Sequence, residues 1–186
     1  MALTRTGIII LILLVIAVAT SWLKRGAPGL TISGLQTSQA ADFFLEDFQM
    51  QQFDEQGVLS YRMAGQRLEH YPKVGNSKIN KPDMSIHPET ESPWRIESEL
   101  AVILPEANDE MRFTGQVYIR RPKTAVVKPI SLRTEHLLLK PRAEIMQSEA
   151  TVVIVSQGAR IQGSQLFADL KHGQMTLHEV KSEYVP

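Results

Sequence analysis

The chain has 186 residues, 43% of them hydrophobic, with 20 basic and 20 acidic side chains and a formal net charge of zero. That length suits one domain, and the balanced charge speaks against a nucleic-acid binder, which presents a basic face. Cysteine is absent, so disulfides and thiolate metal sites are excluded.

From Thr6 to Leu23 no charged residue occurs. At 1.5 Å per residue those 18 positions span roughly 27 Å as a helix, about the thickness of a hydrocarbon core. The sequence therefore predicts a membrane anchor over residues 1–25, with Trp22 at the interface. A cleaved signal peptide is the competing reading, with Ala17-Val18-Ala19 as the cleavage site. Against it, the apolar run continues through Trp22 and Leu23, and Lys24-Arg25 follow. Orientation is not decided by charge, since Arg5 and the amino terminus nearly balance Lys24 and Arg25. Residues 26–41, small and polar, read as a tether, and 42–186 as the folded domain.

The domain reads as nearly all β. In "YRMAGQRLEHYP" (61–72) Tyr61, Met63 and Gly65 alternate with polar neighbours, and then the apolar positions change parity at Leu68 and His70. The same slip recurs in "WRIESELAVILP" (94–105), "ISLRTEHLLLKP" (130–141) and "ARIQGSQLFADL" (159–170), at spacings of 33, 36 and 29 residues. In each, an apolar residue (Met63, Ile96, Leu132, Ile161) precedes a small one (Gly65, Ser98, Thr134, Gly163). A second inward set follows: Leu68, Ala101, Leu137 and Leu166, then His70, Ile103, Leu139 and Ala168. An extra residue between two inward sets is what a bulge or corner does to a strand, and small residues keep the crease open. The pattern predicts long hairpins folded across their middles into a curled trough.

Asp54–Gly57 is expected as a four-residue loop with Gly57 at positive φ, facing Met50 with Tyr61 and Phe48 with Met63. A turn at Asn108-Asp109 would set Ile103 opposite Met111 and Ala101 opposite Phe113, and another hairpin turns at Gln157-Gly158. The last strand is "QMTLHEVKSEYV" (174–185).

Chemistry is scarce. The histidines (His70, His87, His136, His172, His178) form no metal-ligand spacing, and there is no P-loop, dinucleotide fingerprint or G-x-S-x-G. Carboxylate pairs such as Glu46/Asp47 and Glu89/Glu91 fit solvated strand ends and loops better than acid–base work. No metal, cofactor or catalytic residue is expected. A curled sheet with one apolar face must either close on its own side chains or hold an apolar ligand. The lining predicted from the pattern is Phe48, Met50, Leu59, Tyr61, Met63, Leu68, Trp94, Ile96, Ile103, Phe113, Val117, Leu132, Leu137, Leu139, Ile161 and Leu166. The last strand, with Glu179, Val180 and Tyr184, is expected to be an edge open to strand addition.

"FFLEDFQMQQFDEQGVLSYRMAGQRLEHYP" (43–72) and "SPWRIESELAVI" (92–103) resemble the LptC family of lipopolysaccharide export proteins. Gly57 matches a glycine in that family's first hairpin. The resemblance implies one N-terminal membrane helix followed by a periplasmic β-jellyroll, or β-taco, of the LptA type. It also implies an inner-membrane location with the N-terminus cytoplasmic. Lipopolysaccharide would arrive from the ABC transporter LptB2FG, engaged through the membrane helix and N-terminal edge, and pass to LptA at the C-terminal edge. Two other readings of the residues stay open: an envelope scaffold that binds proteins by its sheet edges without carrying lipid, and an anchored hydrolase.

Overall fold

In the computed structural model the described residues are 40–88, 92–104, 110–124 and 128–184. The anchor and, apart from residues 40 and 41, the tether lie outside them, as do the Asn108-Asp109 turn and Glu89/Glu91.

Among the described residues twelve antiparallel strands form one sheet. β1 (Phe43–Phe53) and β2 (Leu59–Tyr71) make the first long hairpin. β3 (Asn76–Asn80), β4 (Asp83–Ile86), β5 (Trp94–Glu97) and β6 (Leu100–Leu104) are short. β7 (Glu110–Arg121) and β8 (Ile130–Lys140) form the second long hairpin. A 3-10 turn at Pro141–Ala143 leads to β9 (Ile145–Ser148) and β10 (Val152–Ser156), then β11 (Ala159–Asp169) and β12 (Gln174–Tyr184).

The short strands are halves of long ones. β4 and β3 pair with successive halves of β2, with one unbroken register from Tyr61↔Ile86 to Tyr71↔Asn76. β5 and β6 likewise divide the length of β7, and β10 and β9 divide β8 and β11. The sheet is thus a meander of bent strands, each neighbouring the next in sequence, folded along one seam into two layers. The β4 layer holds β4, β5, β10 and one half of each long strand, and the β3 layer holds β3, β6, β9 and the other halves. The expected folding of strands across their middles is present. The expected all-β antiparallel class holds for the described residues.

The seam has a local cause at each crossing. Asp47, Lys81, Gln116, Gln165 and Glu179 all adopt left-handed backbone there, with φ between 45 and 51°. At Gly65 a Cβ would stand 2.7 Å from Ile79 Cγ2 and 2.9 Å from the Phe48 ring, so only glycine leaves room for the fold. Where the small residue is not glycine, its hydroxyl caps a carbonyl two residues on. Ser98 Oγ donates to Leu100 O at 2.9 Å, and Thr134 Oγ1 lies 3.3 Å from His136 O. Ser148 donates to that same carbonyl at 2.6 Å. The bend therefore leaves few backbone acceptors unmet, which matters because orphaned buried groups cost stability.

β7 crosses differently. Two residues, Gly115 (φ 76°) and Gln116 (φ 47°), occupy its corner, so parity is kept and Met111, Phe113, Val117 and Ile119 all face in.

One register expectation is corrected. Met50 pairs with Met63, Phe48 with Gly65 and Gln52 with Tyr61. Asp54 is the reason. Its Oδ1 accepts from Gln56 N (2.9 Å) and Val58 N (2.7 Å), and its own N–H donates to Val58 O (2.9 Å), closing a three-residue loop. A bulge at Gln52/Phe53 then shifts the ladder. Gly57 does take positive φ, 80°, as expected. Glu46/Asp47 is also corrected: it sits mid-β1 rather than at a strand end, with Glu46 ion-paired to Arg67 at 2.8 Å.

Candidate functional site

Side chains directly opposed across a ladder share a face, so the register defines rows that run through the sheet. One inward row reads Met50, Met63, Met84, Ile96, Ile119, Leu132, Ile154, Ile161. A second, in the β3 layer, runs Leu45, Leu68, Ile79, Ala101, Phe113, Leu137. Register places the other predicted lining residues on the same inward faces, with Leu59, Tyr61 and Trp94 along the rim of the β4 layer.

The two faces close on each other. Met63, Ile96, Phe113, Leu132 and Leu139 are completely buried, and Phe48, Leu68, Trp94, Val117, Leu137 and Leu166 nearly so. Met50, Tyr61, Ile103 and Ile161 are half-buried against them. The pattern missed Ile79, Met84 and Ile86 on β3 and β4, and Met146, Val152 and Ile154 on β9 and β10. Their signal was period-2 alternation, cut short by Lys81-Pro82 and by residues 149–151.

Two features separate this interior from an ordinary sandwich core. First, the rows do not end where burial ends. Phe43 and Leu45 on β1 are 48% and 45% exposed although both hold inward register positions, and Val180 on β12, two residues from Ser182, which is opposed to the inward Ile161, is 51% exposed. β1 pairs only with β2, and β12 only with β11, among the described strands. Second, the layers are joined by strands at the seam, and no backbone hydrogen bond among the described residues bridges their opposite rims. The rims can part without breaking a ladder. A cavity of about 440 Å³ already lies between them, lined by Phe53, Leu59, Tyr61 and Ile86 from one side and Pro141 and Arg142 from the other.

The predicted edge residues have distinct places. Glu179 is the left-handed corner of β12, and its carboxylate accepts from Ser164 Oγ at 3.1 Å. Tyr184 closes the strand opposite Ala159. Proline cannot adopt the φ of Glu179, so proline there would break the corner rather than probe the edge.

Among the described residues no three His, Asp or Glu side chains converge. Burial, and secondarily the charge of Arg62, lowers the His87 pKa, and its Nε2 is buried without a hydrogen-bond partner at the mouth cavity. The unfolded chain therefore binds a proton here before the folded one does. The His87 contribution is complete above its unfolded pKa, about 6.5, and is lost as pH falls toward the lowered folded value. Chemical denaturation at stepped pH should show a loss of stability on acidification that His87→Asn reduces.

A sequence profile of the family described as lipopolysaccharide-assembly, LptC-related, matches residues 9–185. The chain belongs to the LptC-related family. Family membership ties it to lipopolysaccharide assembly. No curated protein matches the sequence. Among solved structures, this LptC-related fold is similar to LptH of Pseudomonas aeruginosa, the LptA-homologous periplasmic component of the conserved lipopolysaccharide transport device. The TM-score is 0.55 at 8% identity, over 68% of this chain and 95% of LptH. At that identity the likeness is one of fold.

Proposed function

We propose that this LptC-related protein carries lipopolysaccharide, holding its acyl chains between the two layers and passing it along the inward rows from β1 to β12. The observation that supports the reading is the apolar residues left exposed on both end strands, Phe43 and Leu45 in the β3-layer half of β1 and Val180 in the β4-layer half of β12, while the middle of the interior is buried. A partner of the same fold adding a strand at either edge would continue the rows into its own interior. The protein takes lipopolysaccharide from LptB2FG at the β1 edge and through its membrane helix, and delivers it to LptA at the β12 edge. It is anchored in the inner membrane with its N-terminus cytoplasmic and its β domain periplasmic, and it has no catalytic step.

Loading requires the layers to part, because the interior is filled. Acyl chains that replace side-chain contacts bury comparable apolar area, so opening costs little once lipid is present. Methionine suits such exchange, and Met63, Met84, Met111 and Met146 are all in the core. The test is to hold the mouth shut. Ser60 and Arg142 line the same cavity from opposite rims. A short bismaleimide bridge between Ser60→Cys and Arg142→Cys should abolish lipopolysaccharide loading, with each single variant loading normally. Full loading by the bridged protein would overturn the reading.

A further inference from the structure

The outer faces of the two layers differ in charge. Across the β4 layer one outward row reads Arg62, Ser85, Arg95, Arg120, Ser131, Val155, Arg160, each opposed to the next in the ladder. At about 4.8 Å per strand, the arginines span roughly 30 Å. The adjacent row adds Arg133, whose guanidinium lies 5.3 Å from the Tyr118 ring centroid. Asp83 and Glu97 engage Arg95 and Arg120 in ion pairs. Arg62, Arg133 and Arg160 are exposed and make no ion pair among the described residues. The acid of the row is Glu183, at its end on β12. The equivalent outward row of the β3 layer is mixed instead, with Phe44, Val102, Leu138 and Phe167 interleaved with Glu69, Lys78, Arg112, Gln147 and Thr176. Outside Arg5, Lys24 and Arg25 the chain carries 17 basic against 20 acidic residues, so this basic face stands out against an acidic remainder.

We propose that the outer face of the β4 layer rests against a bilayer surface through the phosphates of anionic phospholipids. This goes with the membrane-anchored reading above. The expected anchor ends at residue 25, and the tether over 26–41 reaches no more than about 55 Å even fully extended. On that reading a bilayer is always within reach of the domain, and the charge of this face selects the side that meets it. Three unpaired guanidiniums in a broad row match a phosphate-bearing plane. A hollow of about 590 Å³ opens beside Arg133, bordered by Tyr118, Thr151 and Val153, with Glu135 also on its wall. The consequence is orientation: contact through one outer face fixes which way the β1 and β12 edges point along the membrane.

The absence of cysteine makes the test direct. Full-length Val155→Cys protein carries a fluorophore on the arginine face, and Thr176→Cys carries it on the outer face of the β3 layer. Each is reconstituted into phosphatidylcholine vesicles, with or without phosphatidylglycerol, containing a headgroup-labelled quencher lipid. The Val155 probe should be quenched several-fold more than the Thr176 probe, only with phosphatidylglycerol present, and high salt should remove the difference. Combined Arg62→Gln, Arg133→Gln and Arg160→Gln should remove it too, whereas the three lysine substitutions retain it. Equal quenching of both probes, quenching indifferent to the arginines, or none in any vesicle, as for a face that binds only protein, would overturn the proposal. Flotation with neutral vesicles in high salt reports the anchor separately, so failure of the anchor is distinguishable from failure of the face.

Discussion

Ile96→Asp should leave the domain unfolded or nearly so at neutral pH. Ile96 is completely buried on β5, opposed to Met84 on one side and Ile119 on the other. An aspartate there loses the apolar burial, about 2 kcal/mol, and places an unpaired carboxylate where no cation faces it. The combined cost is at least about 5 kcal/mol, comparable with the whole stability of a domain of this size. Ile96→Ala, which creates only a cavity, should cost about 2–5 kcal/mol and remain folded. Urea denaturation followed by far-ultraviolet circular dichroism separates the two. Transport measured on the aspartate variant reports folding, so the alanine variant is the one that tests the role of the interior.

Gly163→Ala should weaken one strand rather than the whole sheet. A Cβ at Gly163 would stand 2.6 Å from the backbone oxygen of His178 and 2.7 Å from the Leu177 side chain. The oxygen belongs to the β12 corner and cannot rotate away. The overpacking is worth about 1–3 kcal/mol, and β12 takes it, since β11 is held on its other side by β9 and β10. Amide exchange should speed up through Gln174–Tyr184 and stay slow in β7 and β8. Gly57→Ala is the contrast. It meets nothing within 4 Å but must keep φ 80°, so it costs about 1–2 kcal/mol of conformational strain and leaves β12 protected.

β1 and β12, which turn at Asp47 and Glu179, lie outside the bent-strand repeat read from the sequence, whereas elsewhere one extra residue beside a small one flips the parity of everything after it. That is why β2, β5–β6, β8 and β11 stood out at Gly65, Ser98, Thr134 and Gly163. β7 spends two residues, Gly115 and Gln116, so its alternation runs on and hides the corner. β3 and β4 were overlooked because Lys81-Pro82 splits a strand whose apolar signal is only Ile79, Met84 and Ile86. The first hairpin register was misplaced because the Asp54 side chain, not Gly57 alone, sets the loop length. The inward face was legible along the longer strands, where alternation encodes it. That this face closes on itself in the middle and opens at both ends depends on how the layers pack, and no local pattern carries that.

The central claim is that lipid travels inside the fold, and photo-crosslinking in cells tests it most directly. A crosslinking residue in place of Tyr61, Met63 or Phe113, which face in, should capture lipopolysaccharide, and so should one at Val180, exposed on the last strand. In place of Arg62 or Arg112, exposed on the outward faces, it should capture none. Equal capture from both sets, or capture of protein partners alone at every position, would contradict the account and leave the chain an envelope scaffold that carries no lipid.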